Sequence, residues 1–186
     1  ANAENWPIYS MLLSHLQTIG DHAVRYGCGA AHIIGMINWA GLFLKQLGAH
    51  KLAESNFRAA LGLCEGSHEA KPVEWSCSLG NLSGVLLDLN RPADALPLIE
   101  RALQNAERFS ITSKGDPHLM QHLIHRGTAV AALGNAQEGM RDIQRAMEVA
   151  EKTRGPSDRD LLYLYNTAGG FAWRNGDRGA AIKYFE

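Results

Sequence analysis

Apolar residues recur along the chain at the three- and four-residue spacing of helices, and the stripes they form recur in turn. Ala95, Ile99 and Ala102 stand at i, i+4 and i+7, one face of a helix. Ala53, Phe57 and Ala60 make the same face earlier, Gly139, Ile143 and Ala146 make it later, and Ala181 and Phe185 begin it again. Successive stripes start 42, 44 and 42 residues apart. Five residues before each start stands Gly48, Asn90, Gly134 or Gly176, residue types that enter the left-handed conformation ending many helices. Twelve residues before each start stands Gly41, Ser83, Gly127 or Gly169. Glycine inside a helix costs roughly 1 kcal/mol, so this small column predicts a close approach between two helices.

Each unit therefore reads as helix A, a short turn and helix B. The A helices are predicted near 30–47, 72–89, 117–133 and 157–175, and the B helices near 51–64, 93–108, 136–152 and 178–186. EGSHEAKP, SITSKGDP and TRGPSD are the connecting loops. Asp116 before Pro117 makes a good helix start, and Ser157 with Asp160 resembles a capping box. Residues 7–26 form a further helix that caps the stack or belongs to a degenerate earlier unit. The domain divisions are 1–29 for that segment, then repeats at 30–70, 71–115, 116–156 and 157–186. The fourth repeat stops inside helix B, so the chain is expected to be part of something longer or to be completed by a neighbouring molecule.

A small residue, a turn glycine and an A-x-x-x-F-x-x-A stripe resemble the tetratricopeptide repeat (TPR). The common period of that repeat is about 34 residues, and the longer period here is similar to the repeats of kinesin light chains. It is also similar to repeats attached to bacterial signal-transduction ATPases of the NB-ARC type. NLSGVLLDLNRPADALPLIERAL, WPIYSMLLSHLQTIGDHA and the K-G-D-P-H run at 114–118 carry that second resemblance. Two residues depart from it. Arg126 stands where the family is usually apolar, and Gly139 stands where alanine is usual, so the third repeat is expected to be looser. The resemblance implies an all-α fold, a right-handed α-α superhelix (TPR solenoid) of about four helix-turn-helix repeats with an N-terminal capping helix.

Composition narrows the setting. Hydrophobic residues make up 46% of the 186 and charged residues 20%, a globular balance. Net charge is −1 without charge runs, so no basic footprint points to nucleic acid or a membrane surface. Cys28, Cys64 and Cys77 form no C-x-x-C pair, which argues against a disulfide framework or structural zinc and for a reducing, cytoplasmic location. The start lacks the features of a signal peptide, and AAHIIGMINWAGLFL is too short and too polar to span a bilayer.

Candidate chemistry is sparse. His118, His122 and His125 share a helical stripe that could hold a metal, yet no Cys, Asp or Glu within the same turns completes a set, so none is expected. No nucleophile elbow is present, and G-C-G-A-A-H at 27–32 lacks the rest of a phosphate-binding loop. Neither an enzyme nor a cofactor is expected, and any nucleotide site of a parent ATPase lies outside these residues.

The groove is the better candidate. In the superhelix that the resemblance implies, stacked A helices line the concave side. The expected inward residues are Asn38, Leu42 and Lys45, then Cys77, Asn81 and Gly84, then Gln121, His125 and Thr128, then Tyr163, Asn166 and Trp173. The family resemblance implies that Asn38, Asn81 and Asn166 hold the main chain of a ligand, since a carboxamide both donates and accepts. Local capping is the competing role for these asparagines, inter-repeat core for Trp39 and Trp173, and plain solvation for Lys45. The expected function is non-catalytic binding of a peptide or protein partner, as the sensor or scaffold part of a larger signalling protein. The alternative is self-assembly through the open C-terminal repeat.

Overall fold

The computed structural model describes residues 29–68, 70–110, 118–154, 159–174 and 176–185, with Met11, His15, Thr18, Ile19, His22, Arg25 and Tyr26 before them. Those seven positions are helical, and the rest of the expected 7–26 helix lies outside the described residues, as do Asp116, Pro117 and Ser157. Eight helices follow: α1 (Ala30–Gln46), α2 (His50–Gly66), α3 (Pro72–Asp88), α4 (Pro92–Ser110), α5 (Leu119–Ala132), α6 (Ala136–Arg154), α7 (Arg159–Arg174) and α8 (Arg178–Phe185). No strand occurs among the described residues. Helix starts and ends lie within about two residues of the sequence-based bounds, the usual fraying uncertainty.

The turn column closes every A helix in the same way. Gly48, Asn90, Gly134 and Gly176 all have positive φ, at 77°, 57°, 101° and 79°. Each donates its N–H three residues back, and the next residue donates five residues back: Gly48 to Lys45 and Ala49 to Leu44, Asn90 to Leu87 and Arg91 to Leu86. Gly134 with Asn135 and Gly176 with Asp177 repeat the pair of bonds. This Schellman arrangement satisfies the last carbonyls and reverses the chain into helix B. Side chains then start two of the B helices. Asn135 Oδ1 accepts the Glu138 N–H while Glu138 reaches back to Asn135 Nδ2, and Asp177 Oδ1 accepts the Ala180 N–H.

The small column explains how A meets B. A Cβ on Gly41 would collide with the Phe57 ring, and one on Gly169 would stand 2.6 Å from Phe185 Cε1. On Gly127 it would stand 2.7 Å from the Gly139 carbonyl oxygen. The glycines therefore let a side chain or a backbone of helix B fill the space a Cβ would take. The expectation that Gly139 loosens the third repeat is corrected here: Gly127 and Gly139 face each other, and α5 and α6 cross backbone against backbone. Arg126 is accommodated at the edge of that crossing, paired with Glu138 and Asp142 of α6.

The B-helix stripes supply the core. Ala53, Phe57, Ala60, Ala95, Ile99, Ala102, Ile143 and Ala146 are all fully buried. Burial of such side chains, at roughly 25 cal/mol per Å² of apolar surface, is the main force holding each pair together. A helices also touch one another, α1 with α3 and α3 with α5, whereas no pair of B helices does so to the same extent among the described residues. The A helices thus lie on the shorter, inner arc of an all-α repeat superhelix.

Candidate functional site: the inner face of the A helices

Counting from the small column places every A-helix residue in register. One inner column holds Gly35, Cys77, Gln121 and Tyr163, and the next holds Trp39, Asn81, His125 and Thr167. Leu42, Gly84, Thr128 and Gly170 follow, then Gln46, Asp88, Ala132 and Arg174. Eight of the twelve residues expected inward fall in these columns. Asn38, Lys45, Asn166 and Trp173 fall one position to the side, about 100° around the helix, on the face that meets the next repeat.

Neighbouring helices, and not register alone, decide what the asparagines do. Asn38 is 3% exposed, and its Nδ2 donates to Ile34 O at 3.0 Å and Ser78 Oγ at 2.9 Å. Its Oδ1 accepts from Asn81 Nδ2 at 3.0 Å, and Asn81 is also buried. The two amides therefore tie α1 to α3. Asn166, at the same register as Asn38, is exposed.

The second repeat meets the third through histidines. His122 is fully buried, with Nε2 2.7 Å from Ser76 Oγ. His125 is half-buried, with Nδ1 3.2 Å from Ser83 Oγ. Ser83 Oγ donates to Gly80 O, so it accepts from His125 Nδ1–H, which fixes the neutral tautomer of that ring. Gly80 and Gly84 make room: a Cβ on either would stand 2.7 Å and 2.8 Å from the Cε1 of His122 and His125. Burial, then the Lys45 ammonium and His122, pushes the His125 pKa down to about 3. His118 sits at the N-terminal cap of α5, its ring 6.2 Å from that of His122. Among the described residues no three His, Cys, Asp or Glu side chains gather as a metal site would need. Burial raises the Cys64 thiol to about 11, which keeps it protonated.

The remaining expected residues divide by exposure. Lys45 Nζ pairs with Asp88 at 3.1 Å, and both line an open pocket of about 580 Å³ with Leu42, Gln46 and His50. Thr128 Oγ1 donates to Ile124 O, and Leu42 and Gln121 are half-buried. Tyr163 and Trp173 are 58% and 59% exposed, with the Arg178 guanidinium 5.9 Å from the Trp173 ring centre. Trp39 is 74% exposed, in the column where Asn81 and His125 bond the preceding A helix. Sequence reasoning missed it, together with Gln46, Asp88, Thr167 and Arg174. A strict count from the small column would have found all five. The surface that results is a strip of amide, hydroxyl and imidazole groups with an aromatic ring toward each end. Such a strip can hydrogen-bond an extended main chain and give flat apolar contact to its side chains.

No family model matches the chain, and no curated protein matches it. Solved structures do. BtubC (BKLC) from P. vanneervenii superposes with a TM-score of 0.76 at 16% identity, over 99% of this chain and 71% of that one. YrrB, a TPR protein with an unusual peptide-binding site, superposes with a TM-score of 0.52 at 18% identity, over 95% and 80%. Kinesin light chain TPR-like repeats from Podosopora anserina superpose with a TM-score of 0.57 at 11% identity, over 92% and 90%. At these identities the likeness is one of fold, a superhelix of TPR-type repeats.

Proposed function

We propose that this chain is a non-catalytic interaction module that takes a peptide or protein partner along the inner face of its A helices. The observation that carries the reading is the set of inner columns, in which Trp39 and Tyr163 stand exposed and Gln121, His125 and Thr128 half-buried. The peptide-binding site named for YrrB is consistent with it. Repeat units at 30–70, 71–115, 116–156 and 157–186 each contribute one A helix to the strip. In this reading the module is the sensor or scaffold arm of a larger cytoplasmic signalling protein, a setting supported by the sequence resemblance to bacterial ATPases and by none of the structural likenesses. Of the three asparagines, Asn166 is the one open to a ligand, since Asn38 and Asn81 bond each other.

The test is a peptide-array screen followed by anisotropy titration of the best binders. Gln121→Ala with Tyr163→Ala should weaken binding at least tenfold while leaving the melting curve in place. Unchanged affinity in that variant would remove the groove from the reading. Self-association is the second reading. It is favoured by large exposed apolar residues, Met36, Trp39 and Phe43 on α1 and Leu162, Trp173 and Ile182 on α7 and α8.

A further inference from the structure

Side chains of three A helices converge on one point of the inner face. Gly84 of α3 has no Cβ, and the place one would take lies 2.8 Å from His125 Cε1, 3.1 Å from His125 Nε2 and 3.3 Å from Lys45 Nζ. The ring comes from α5 and the ammonium from α1. The Lys45 side chain crosses from α1 to α3, where its ammonium pairs with Asp88 Oδ2 at 3.1 Å, one turn beyond Gly84. Lys45 and Asp88 also line the open pocket of about 580 Å³, and the Lys45 side chain is 30% exposed, so the ammonium is reached from that side.

The hydrogen-bonding capacity at this point is not used up. An ammonium has three donors, and among the described residues Lys45 bonds only Asp88. A neutral imidazole has one donor and one acceptor. The donor of His125, Nδ1–H, goes to Ser83 Oγ, which itself donates to Gly80 O. The acceptor is therefore Nε2, and no donor among the described residues bonds it. Burial, and then the Lys45 ammonium, oppose a second proton on the ring. Spare donors and a spare acceptor thus stand side by side over Gly84, at the meeting of three repeats.

We infer that this point is a subsite for one uncharged polar side chain of the partner peptide, a hydroxyl or a carboxamide, that accepts from Lys45 Nζ and donates to His125 Nε2. Serine, threonine, asparagine and glutamine carry both functions in one group. A carboxylate at neutral pH only accepts, so it leaves Nε2 unpaired and stands beside Asp88 with like charge. A lysine or arginine only donates, and it sets its charge against Lys45. An alanine covers both groups and pairs neither, which costs affinity. The subsite rests on the groove reading above and names the side-chain class that the groove selects where the first three repeats meet.

The test takes the tightest peptide from the array and changes each of its positions in turn to Ser, Asn, Ala, Glu and Lys. Each peptide is titrated against wild type and Lys45→Met, a change at a partly exposed side chain that keeps the fold. At one position Ser or Asn should bind wild type at least tenfold tighter than Ala, Glu or Lys. In Lys45→Met that preference should shrink to within twofold, with the other positions unchanged. Ring nitrogen NMR gives a second readout: the His125 Nε2 resonance should move on binding the Ser or Asn peptide and stay in place with the Ala peptide. A groove binder with no such position, a preference for Glu, or a preference that Lys45→Met leaves intact overturns the subsite while the groove reading stands. Peptides that bind no better than background, or binding that Gln121→Ala with Tyr163→Ala leaves unchanged, overturn both.

Discussion

Two residues show how local chemistry sets stability in this protein. Asn90 holds a φ of 57° where the other three repeats use glycine. A side chain in that region costs about 1–2 kcal/mol, less for asparagine. Asn90→Ala should therefore cost about 1 kcal/mol, while Asn90→Gly should be neutral or stabilising. Urea midpoints for the two variants decide it, and equal midpoints would show that the turn imposes no such strain. His125 makes a prediction in pH. Its folded pKa, near 3, is depressed below the ordinary histidine value by burial and by the nearby Lys45. The folded state thus favours the neutral ring, and the unfolded chain takes up the proton first as pH falls. The stabilisation is present above pH of about 6.5 and is lost as pH falls toward 3, by at most about 1.4 kcal/mol per pH unit. His125→Gln should flatten the decline in stability between pH 7 and pH 5, and a variant that declines as steeply as wild type would refute the assignment.

At the scale of the helix pair, the third repeat carries its own compensation. Arg126 lies at an A–B crossing, and its guanidinium donates to Asp142 Oδ2 at 2.7 Å and to Glu138. Asp142 is buried, and burial raises its pKa against the opposing pull of Arg126. Removing the arginine leaves that carboxylate without its cation, so Arg126→Ala should cost roughly 1–3 kcal/mol. Arg126→Ala combined with Asp142→Ala should cost less than the sum of the single changes. A double-mutant cycle in thermal denaturation reads the coupling, and strict additivity would show the pair to be inert. Other ion pairs, such as Arg101 with Glu65, are exposed on both sides, which keeps their contribution small.

At the scale of the whole molecule, coupling between repeats passes through broad B-to-A contacts, such as α4 with α5, and through narrower A-to-A contacts, such as α3 with α5. A solenoid's stability is close to a sum of repeat terms and nearest-neighbour terms. The α3–α5 contact depends on Gly80 and Gly84 admitting two histidine rings. Gly80→Leu should displace the His122 ring and weaken that one neighbour term. Hydrogen exchange should then quicken in α5–α8 more than in α1–α4. Uniform quickening across all eight helices would show that the chain opens as one unit regardless of this contact.

The repeat itself was legible in the chain. Three columns of residues, at Ala95, Asn90 and Ser83 and their equivalents, are imposed by helix-pair geometry that recurs in every unit: a small residue where two helices cross, a left-handed residue where the chain turns, an apolar stripe that is buried. Such local and near-neighbour demands leave a periodic signature, so helix number, bounds and pairing followed from sequence. The groove was legible only in part. Asn38, Asn81 and Asn166 look alike in sequence, yet the first two bond each other and the third faces outward. A shift of one residue turns a helical side chain through about 100°, and whether it then meets solvent or the next repeat depends on how the units stack. The histidines tell the same story, a possible metal stripe in sequence and two serine-bonded rings over glycines in the fold. The sequence by itself determined the unit. Only the tertiary structure decided which face of each A helix is interface and which is free, because that depends on contacts between repeats about 40 residues apart rather than on the period within any one of them.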